Sequence, residues 1–207
     1  MSESMSVIGV IASGRGSNLQ AIFDAIDAKT LSVQVGVVMS DKKDAEALAR
    51  AQIRQIPTVF LDPKAYPDRP SYDTAVVHVL LEHCVQFVVL AGYMRIVTKA
   101  LLDPFPNKVI NIHPSLLPSF PGMHAQRQAL VAGVKISGCT VHFVDEAVDH
   151  GPIISQAAVP VLDGDTEQSL TARILVEEHR LLPMAISLYT SSQIKSIQNG
   201  KKERFML

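Results

Sequence analysis

Residues 87–91 read F-V-V-L-A, an apolar run without polar alternation. A strand with one wet face alternates apolar and polar residues. A strand that does not alternate is covered on both faces, as in a parallel sheet flanked by helices. A second β-prone run, residues 5–12, leads through Ser13-Gly14-Arg15-Gly16-Ser17-Asn18 into a helical pattern at Leu19, Ile22, Phe23 and Ile26. Strand, glycine turn and helix in this order open an α/β fold. Strands at 33–39 and 58–61 then flank an alanine-rich helix at 45–55.

The glycine turn limits the ligands such a fold can hold. Glycines let the backbone approach a ligand closely, and the N–H groups of a first helical turn favour an anion. Ser17 or Asn18 is expected to cap the helix. A dinucleotide site would need a third glycine where Leu19 stands, and no lysine follows as in a P-loop. A single phosphate on a small substrate fits better. Residues 62–71 carry Pro63, Pro67 and Pro70 and read as a loop, in which Arg69 can clamp a carboxylate or phosphate. A helix is predicted over 72–84, with Val76, Val77, Leu80 and Leu81 facing inward and His78 and His83 as surface or packing residues. Gly92-Tyr93-Met94-Arg95-Ile96 follows the buried strand at its C-terminal end, the ligand edge of an open sheet. Met94, Ile96 and Val97 can line an apolar slot for a flat heterocycle, with Arg95 at its polar rim.

The stretch 109–130, V-I-N-I-H-P-S-L-L-P-S-F-P-G-M-H-A-Q-R-Q-A-L, holds the densest chemistry. Asn111 and His113 alternate in a β-prone run, so an amide and an imidazole project to one face. Pro114, Pro118 and Pro121 then stop regular pairing, Gly122 allows a turn, and residues 124–130 begin a helix. Further on, strands are expected at 136–144, carrying His142, and at 153–161. They form an antiparallel pair joined by an acidic loop. In that loop Asp145 and Glu146 read as a solvated face, while Asp149, beside His150-Gly151-Pro152, is placed to turn inward. A long helix starts after Asp165 or Thr166 and contains Glu178. Pro183 is expected to kink or restart it.

Composition removes several classes of function. Nineteen basic against 20 acidic residues, net −1, give none of the basic excess of a nucleic-acid surface. The longest strongly apolar run, 87–94, is far below the roughly 20 residues of a membrane helix. The N-terminus, M-S-E-S-M-S, lacks the basic region of a signal peptide. Cys84 and Cys139 show no metal or redox spacing and read as reduced, buried thiols of a cytoplasmic protein. Among His113, His124, His142 and His150 no close ligand pair appears, so no metal is expected. With no serine elbow and no placed cysteine, Asn111, His113 and Asp149 suit acyl-type transfer to an external nucleophile. Asn111 and a protonated His113 would stabilise the tetrahedral oxyanion, each such donor typically worth about 3–4 kcal/mol. Asp149 would hold His113 charged, since a neighbouring carboxylate raises a histidine pKa, and help remove the attacking amine's protons, directly or through water.

These residues carry a family resemblance. N-I-H-P-S-L-L-P with a downstream D-x-G-P resembles the 10-formyltetrahydrofolate-dependent formyltransferases. The S-G-x-G-S-N turn, G-Y-M-R-I, P-G-x-H and G-D-T are similar to the branch that formylates glycinamide ribonucleotide in purine synthesis. The resemblance implies a three-layer α/β fold. Its mostly parallel twisted sheet has a Rossmann-like N-terminal half, an antiparallel C-terminal strand pair and helices on both faces. It implies one domain over 1–207, with 1–100 as the nucleotide- and phosphate-binding half, 101–190 as the catalytic and folate-binding half, and 191–207 as a surface tail. Asn111, His113 and Asp149 take the family's catalytic positions. Gly16, Ser17, Asn18, Pro114 and Glu178 fall where it binds the nucleotide. Arg69, Met94, Arg95, Ile96, Val97, Asn111, Val144, Asp145, Glu146 and Val148 fall where it binds folate, and His124 lies near the site. The implied co-substrate is 10-formyltetrahydrofolate, without a metal. The implied partners are small molecules, with no nucleic acid and no membrane, and the assembly is a monomer or homodimer. His150 departs from the small residue expected beside Asp149. The alternatives are a formyltetrahydrofolate deformylase or a formyltransferase for another amine. A methionyl-tRNA formyltransferase would need a further C-terminal domain and a basic surface. A non-catalytic binding module would have no use for Asn111, His113 and Asp149 together.

Overall fold

Four parallel strands open the fold. These are β1 (Ser6–Ile11), β2 (Val33–Ser40), β3 (Thr58–Phe60) and β4 (Phe87–Leu90). The structure, a computed structural model, describes residues 5–190 throughout, with backbone strands at Lys195–Ile197 and Arg204–Met206. The expected surface tail lies mostly outside the described residues. β4 is buried along its whole length, as its unalternated sequence predicts. With β5 (Val109–His113), β6 (Ile136–Phe143) and β7 (Ile153–Pro160), the sheet runs in the order β3-β2-β1-β4-β5-β6-β7. Pairing is parallel from β3 to β5. The β6–β7 pair is antiparallel. The mostly parallel α/β sheet with an antiparallel C-terminal pair therefore matches the expected fold class.

The chain divides into two compact units, Met1–Asn111 and Ile112–Leu207. In the first, α1 (Ser17–Asp27) and α2 (Glu46–Ile53) carry the chain from β1 to β2 and from β2 to β3. The crossover from β3 to β4 contains a 3-10 turn, Pro63–Ala65, and α3 (Arg69–Glu82). Right-handed crossovers put α1 and α2 on one face of the sheet and α3 on the other. A short α4 (Lys99–Leu102) precedes β5. In the second unit α5 (Ala125–Ala132) follows the proline loop, and α6 (Glu167–Thr190) packs on the β6–β7 pair.

Five expectations need correction. The first turn of α1 is not capped by Ser17 or Asn18; Gly16, in a left-handed conformation, is the N-cap, and those residues open the helix itself. Helix α3 begins at Arg69, not at 72, because the Asp68 carboxylate accepts the Ser71 N–H at 2.8 Å and Pro70 is tolerated in a first turn. On that helix Val76, Val77 and Leu80 are buried as expected, but Leu81 is 53% exposed. Cys84, just beyond its C-terminus, is exposed, whereas Cys139 in β6 is buried. Helix α6 does not restart at Pro183. It runs through this residue, which is buried with Leu181, Leu182, Ala185 and Ile186, so packing outweighs one lost backbone hydrogen bond. Its start is as expected: the Thr166 hydroxyl accepts the Ser169 N–H, and Asp165 pairs twice with Arg173.

Candidate active site

Strand β5 ends at His113 because Pro114 cannot extend the ladder. His113 is buried, only 5% exposed. Its Nε2 lies 2.9 Å from the Phe120 carbonyl oxygen, delivered by the loop that Pro118 and Pro121 stiffen. A carbonyl only accepts, so this nitrogen carries the hydrogen. The opposite nitrogen, Nδ1, lies 3.2 Å from Asp149 Oδ2. The same oxygen accepts the Gly122 N–H at 2.8 Å. Asp149 Oδ1 lies 3.6 Å from Nε2 of His142, a buried ring whose Nδ1 meets the Phe143 carbonyl at 2.8 Å. One carboxylate is thus held between two imidazoles, each anchored to the backbone on its far side. His142 was not expected in this cluster. The β6–β7 register shifts between Val141 and His142, and such a bulge re-aims a side chain.

Electrostatics differ from the expectation at His113. Burial lowers the ring's pKa below the ordinary histidine value, and the Phe120 carbonyl and Asp149 only partly offset that. Two acceptors facing the two nitrogens favour the doubly protonated ring, but desolvation is the larger effect, so at neutral pH the ring is held mainly uncharged. Asp149 behaves oppositely. Burial pushes its carboxyl up, but the hydrogen bonds from His142 and the Gly122 N–H, with the His113 ring, outweigh it and leave the pKa below the usual carboxylate value. His113 is therefore held mainly as the neutral ring, with Nδ1 facing the Asp149 carboxylate.

In the N-terminal unit the glycine turn forms a separate feature. Gly16 has φ +68°, and a Cβ there would lie 2.7 Å from Ala47 Cα. Arg50 pins the turn, donating from Nε to the Arg15 carbonyl at 2.8 Å and from its guanidinium to Gln20. Arg50 thereby fixes the turn at the start of α1. Asn18 is buried and Ser17 half-buried. A cavity of about 380 Å³ beside the turn is lined by Ser13, Gly14, Arg15, Lys42 and Lys43, with Asp44 and Glu46.

The remaining expected site residues are placed as follows. Arg69 is exposed at the start of α3. The Arg95 guanidinium stacks over the Tyr72 ring, 5.0 Å from its centroid. Met94 and Ile96 are exposed and Val97 is buried, so of the expected apolar slot only Val97 belongs to the core. Ser13 Oγ accepts the Met94 N–H at 2.9 Å, tying this loop to the glycine turn. Pro114, Val144 and Asp145 are half-buried; Glu146 and Val148 are exposed. His124 is exposed, takes a left-handed conformation at the start of α5 and lies 3.9 Å from Glu167. Glu178 is buried in α6, and its charge adds to burial in pushing the Cys139 thiol up to about 12. Among the described residues no group of three His, Cys, Asp or Glu side chains is arranged to hold a metal, and no helix is long and apolar enough to cross a membrane.

Residues 6–186 match the family described as formyl transferase. The chain belongs to the formyl transferase family. It is 43% identical over 193 residues to the phosphoribosylglycinamide formyltransferase of Escherichia coli K12, covering 93% of this chain and 91% of that protein. A crystal structure of glycinamide ribonucleotide transformylase 1 from Symbiobacterium toebii superimposes with a TM-score of 0.93 at 50% identity, covering 98% of this chain and 95% of that one. The trifunctional purine biosynthetic protein adenosine-3 of Drosophila pseudoobscura pseudoobscura is 44% identical over 98% of this chain. This formyl transferase spans only 15% of that relative's length.

Proposed function

We propose that this formyl transferase moves the formyl group of 10-formyltetrahydrofolate to the amine of glycinamide ribonucleotide. The observation that carries the reading is Asp149 held between His113 and His142 in a chain whose family match spans all three residues. The acceptor amine attacks the formyl carbon, and the carbonyl becomes an oxyanion. The Asn111 amide donates to that oxygen. The proton that the amine nitrogen gives up passes through the Asp149 carboxylate, directly or by way of water, to the facing Nδ1 of His113, neutral before attack, and Asp149 stabilises the resulting imidazolium. The proton then passes to N10 of the folate as the carbon–N10 bond breaks, leaving the formamide and tetrahydrofolate with no net proton change. A general base of this kind contributes about 10²–10⁴-fold.

The backbone N–H groups around Gly16, Ser17 and Asn18 hold the acceptor's phosphate, with Pro114 and Glu178 contacting the nucleotide. Arg69, the run Met94, Arg95, Ile96 and Val97, and the loop residues Val144, Asp145, Glu146 and Val148 receive the folate, and His124 lies near the site. No step requires a metal. The test is a competition assay. Purified protein and 10-formyltetrahydrofolate are offered glycinamide ribonucleotide, initiator methionyl-tRNA and water as acceptors. The expected product is formylglycinamide ribonucleotide. Release of formate alone would instead indicate a deformylase.

A further inference from the structure

We propose that His150 is a positioning residue for Asp149, clipped to Asp145 so that the loop between β6 and β7 keeps the acid turned inward. The loop closes in tiers. At its base the Phe143 N–H donates to the Pro152 carbonyl at 2.9 Å. Gly151 lies so close to Phe143 that a Cβ would stand 1.9 Å from the Phe143 carbonyl oxygen, so only glycine closes the base this tightly. Above it, His150 Nδ1 and Asp145 Oδ2 meet at 3.0 Å. The other oxygen of Asp145 accepts the Ala147 N–H at 3.0 Å. One carboxylate therefore ties together the start, middle and end of the loop that presents Asp149.

Asp149 needs such support. Its φ is +51°, in the left-handed region that few non-glycine residues adopt, aspartate more readily than most, and that still carries some backbone strain. Loop conformers that relax this strain would carry the carboxylate away from His113 and His142. The clip is exposed, with the His150 side chain 60% and that of Asp145 39% accessible, so it adds little to global stability. Its leverage is local: only a fraction of loop conformers is competent, and activity scales with that fraction. The Nδ1–H of His150 donates whether the ring is neutral or charged, so the clip needs the hydrogen bond and not the charge.

The kinetic part rests on the proposed formyl transfer and on the loop's place at the folate. The test compares His150→Ala and His150→Asn in the full chain. Asparagine can set an amide N–H near the place of Nδ1–H; alanine cannot. For His150→Ala the expected result is about a threefold to fivefold fall in kcat/KM for 10-formyltetrahydrofolate, the size of one exposed polar contact. The KM for the acceptor should not change, and Tm should move by no more than about 2 °C. Amide hydrogen exchange of residues 145–151 should speed up. His150→Asn should restore both exchange and rate. Unchanged exchange, unchanged rate, or an Asn variant no better than the Ala variant would overturn the proposal. If wild-type protein transfers no formyl group, the proposed reaction fails, and the exchange measurements still decide whether the clip orders the loop.

Discussion

Asp149 Oδ2 lies 3.2 Å from His113 Nδ1, while the other nitrogen of that ring is committed to the Phe120 carbonyl at 2.9 Å. A neutral ring can satisfy only one of these two acceptors by donation. Burial keeps it neutral, and in the proposed transfer the unfilled position, which faces Asp149, would receive a proton by way of that carboxylate. The same geometry fixes the ring's orientation before any substrate arrives, so little reorganisation is left for the chemical step.

This arrangement gives stability an acid-side dependence. The folded pKa of His113 is lowered, so as pH falls past the ordinary histidine value of about 6.5 the unfolded chain takes up a proton before the folded ring does. Stability then declines with acidification. Asp149 has the same sign at lower pH. Its contribution is complete above the ordinary carboxylate value of about 3.9 and is lost as pH falls through the depressed folded value. Asp165, lowered mainly by its hydrogen bonds with Arg173, adds to the second decline. Thermal melts from pH 8 to 3 should show both, and His113→Asn should remove the first while leaving the second. A melt profile that is flat between pH 7 and 5 in the wild type would contradict the burial of an uncharged ring.

Gly16→Ala should destabilise the fold and damage the glycine turn together. The new methyl would meet Ala47 Cα at 2.7 Å in a backbone conformation that alanine avoids. A cost of about 1–3 kcal/mol follows, or a fall in Tm of roughly 3–10 °C for a chain of this size. Gly14→Ala is the control, since a Cβ there meets nothing within 4 Å. Calorimetry on the pair separates the close packing at Gly16 from a general effect of losing a glycine.

The two thiols should differ in reactivity. Cys84 is exposed, and Cys139 is fully buried with its thiol pushed up to about 12. A thiol reagent at pH 8 should label Cys84 alone in native protein and both cysteines after unfolding. Peptide mapping that finds Cys139 labelled in the native state would show that β6 opens far more readily than its packing implies.

Most strands and helices could be read from the hydrophobic pattern, because the buried residues of β1, β2 and β4 are largely apolar. Asp149 could be read because a carboxylate beside a Gly-Pro turn is restricted in direction. The start of α3 was legible in principle: Asp68, with Ser71 three residues on and Pro70 between them, is a capping signal, but the three prolines of the segment outweighed it. His142 could not be read. Its position suggests ordinary strand packing, and only the register shift opposite Ile153 brings it to Asp149. The lowered pKa of His113 was equally out of reach, because it depends on how completely the proline loop covers the ring.

The most direct measurement is single-turnover formyl transfer from 10-formyltetrahydrofolate to glycinamide ribonucleotide by wild-type, His113→Ala and Asp149→Asn proteins, with circular dichroism to establish folding. Each variant should keep the wild-type spectrum and lose about 10²-fold or more in the chemical step. A folded Asp149→Asn protein that transfers formyl within about twofold of the wild-type rate would contradict the role given to the His113–Asp149 pair.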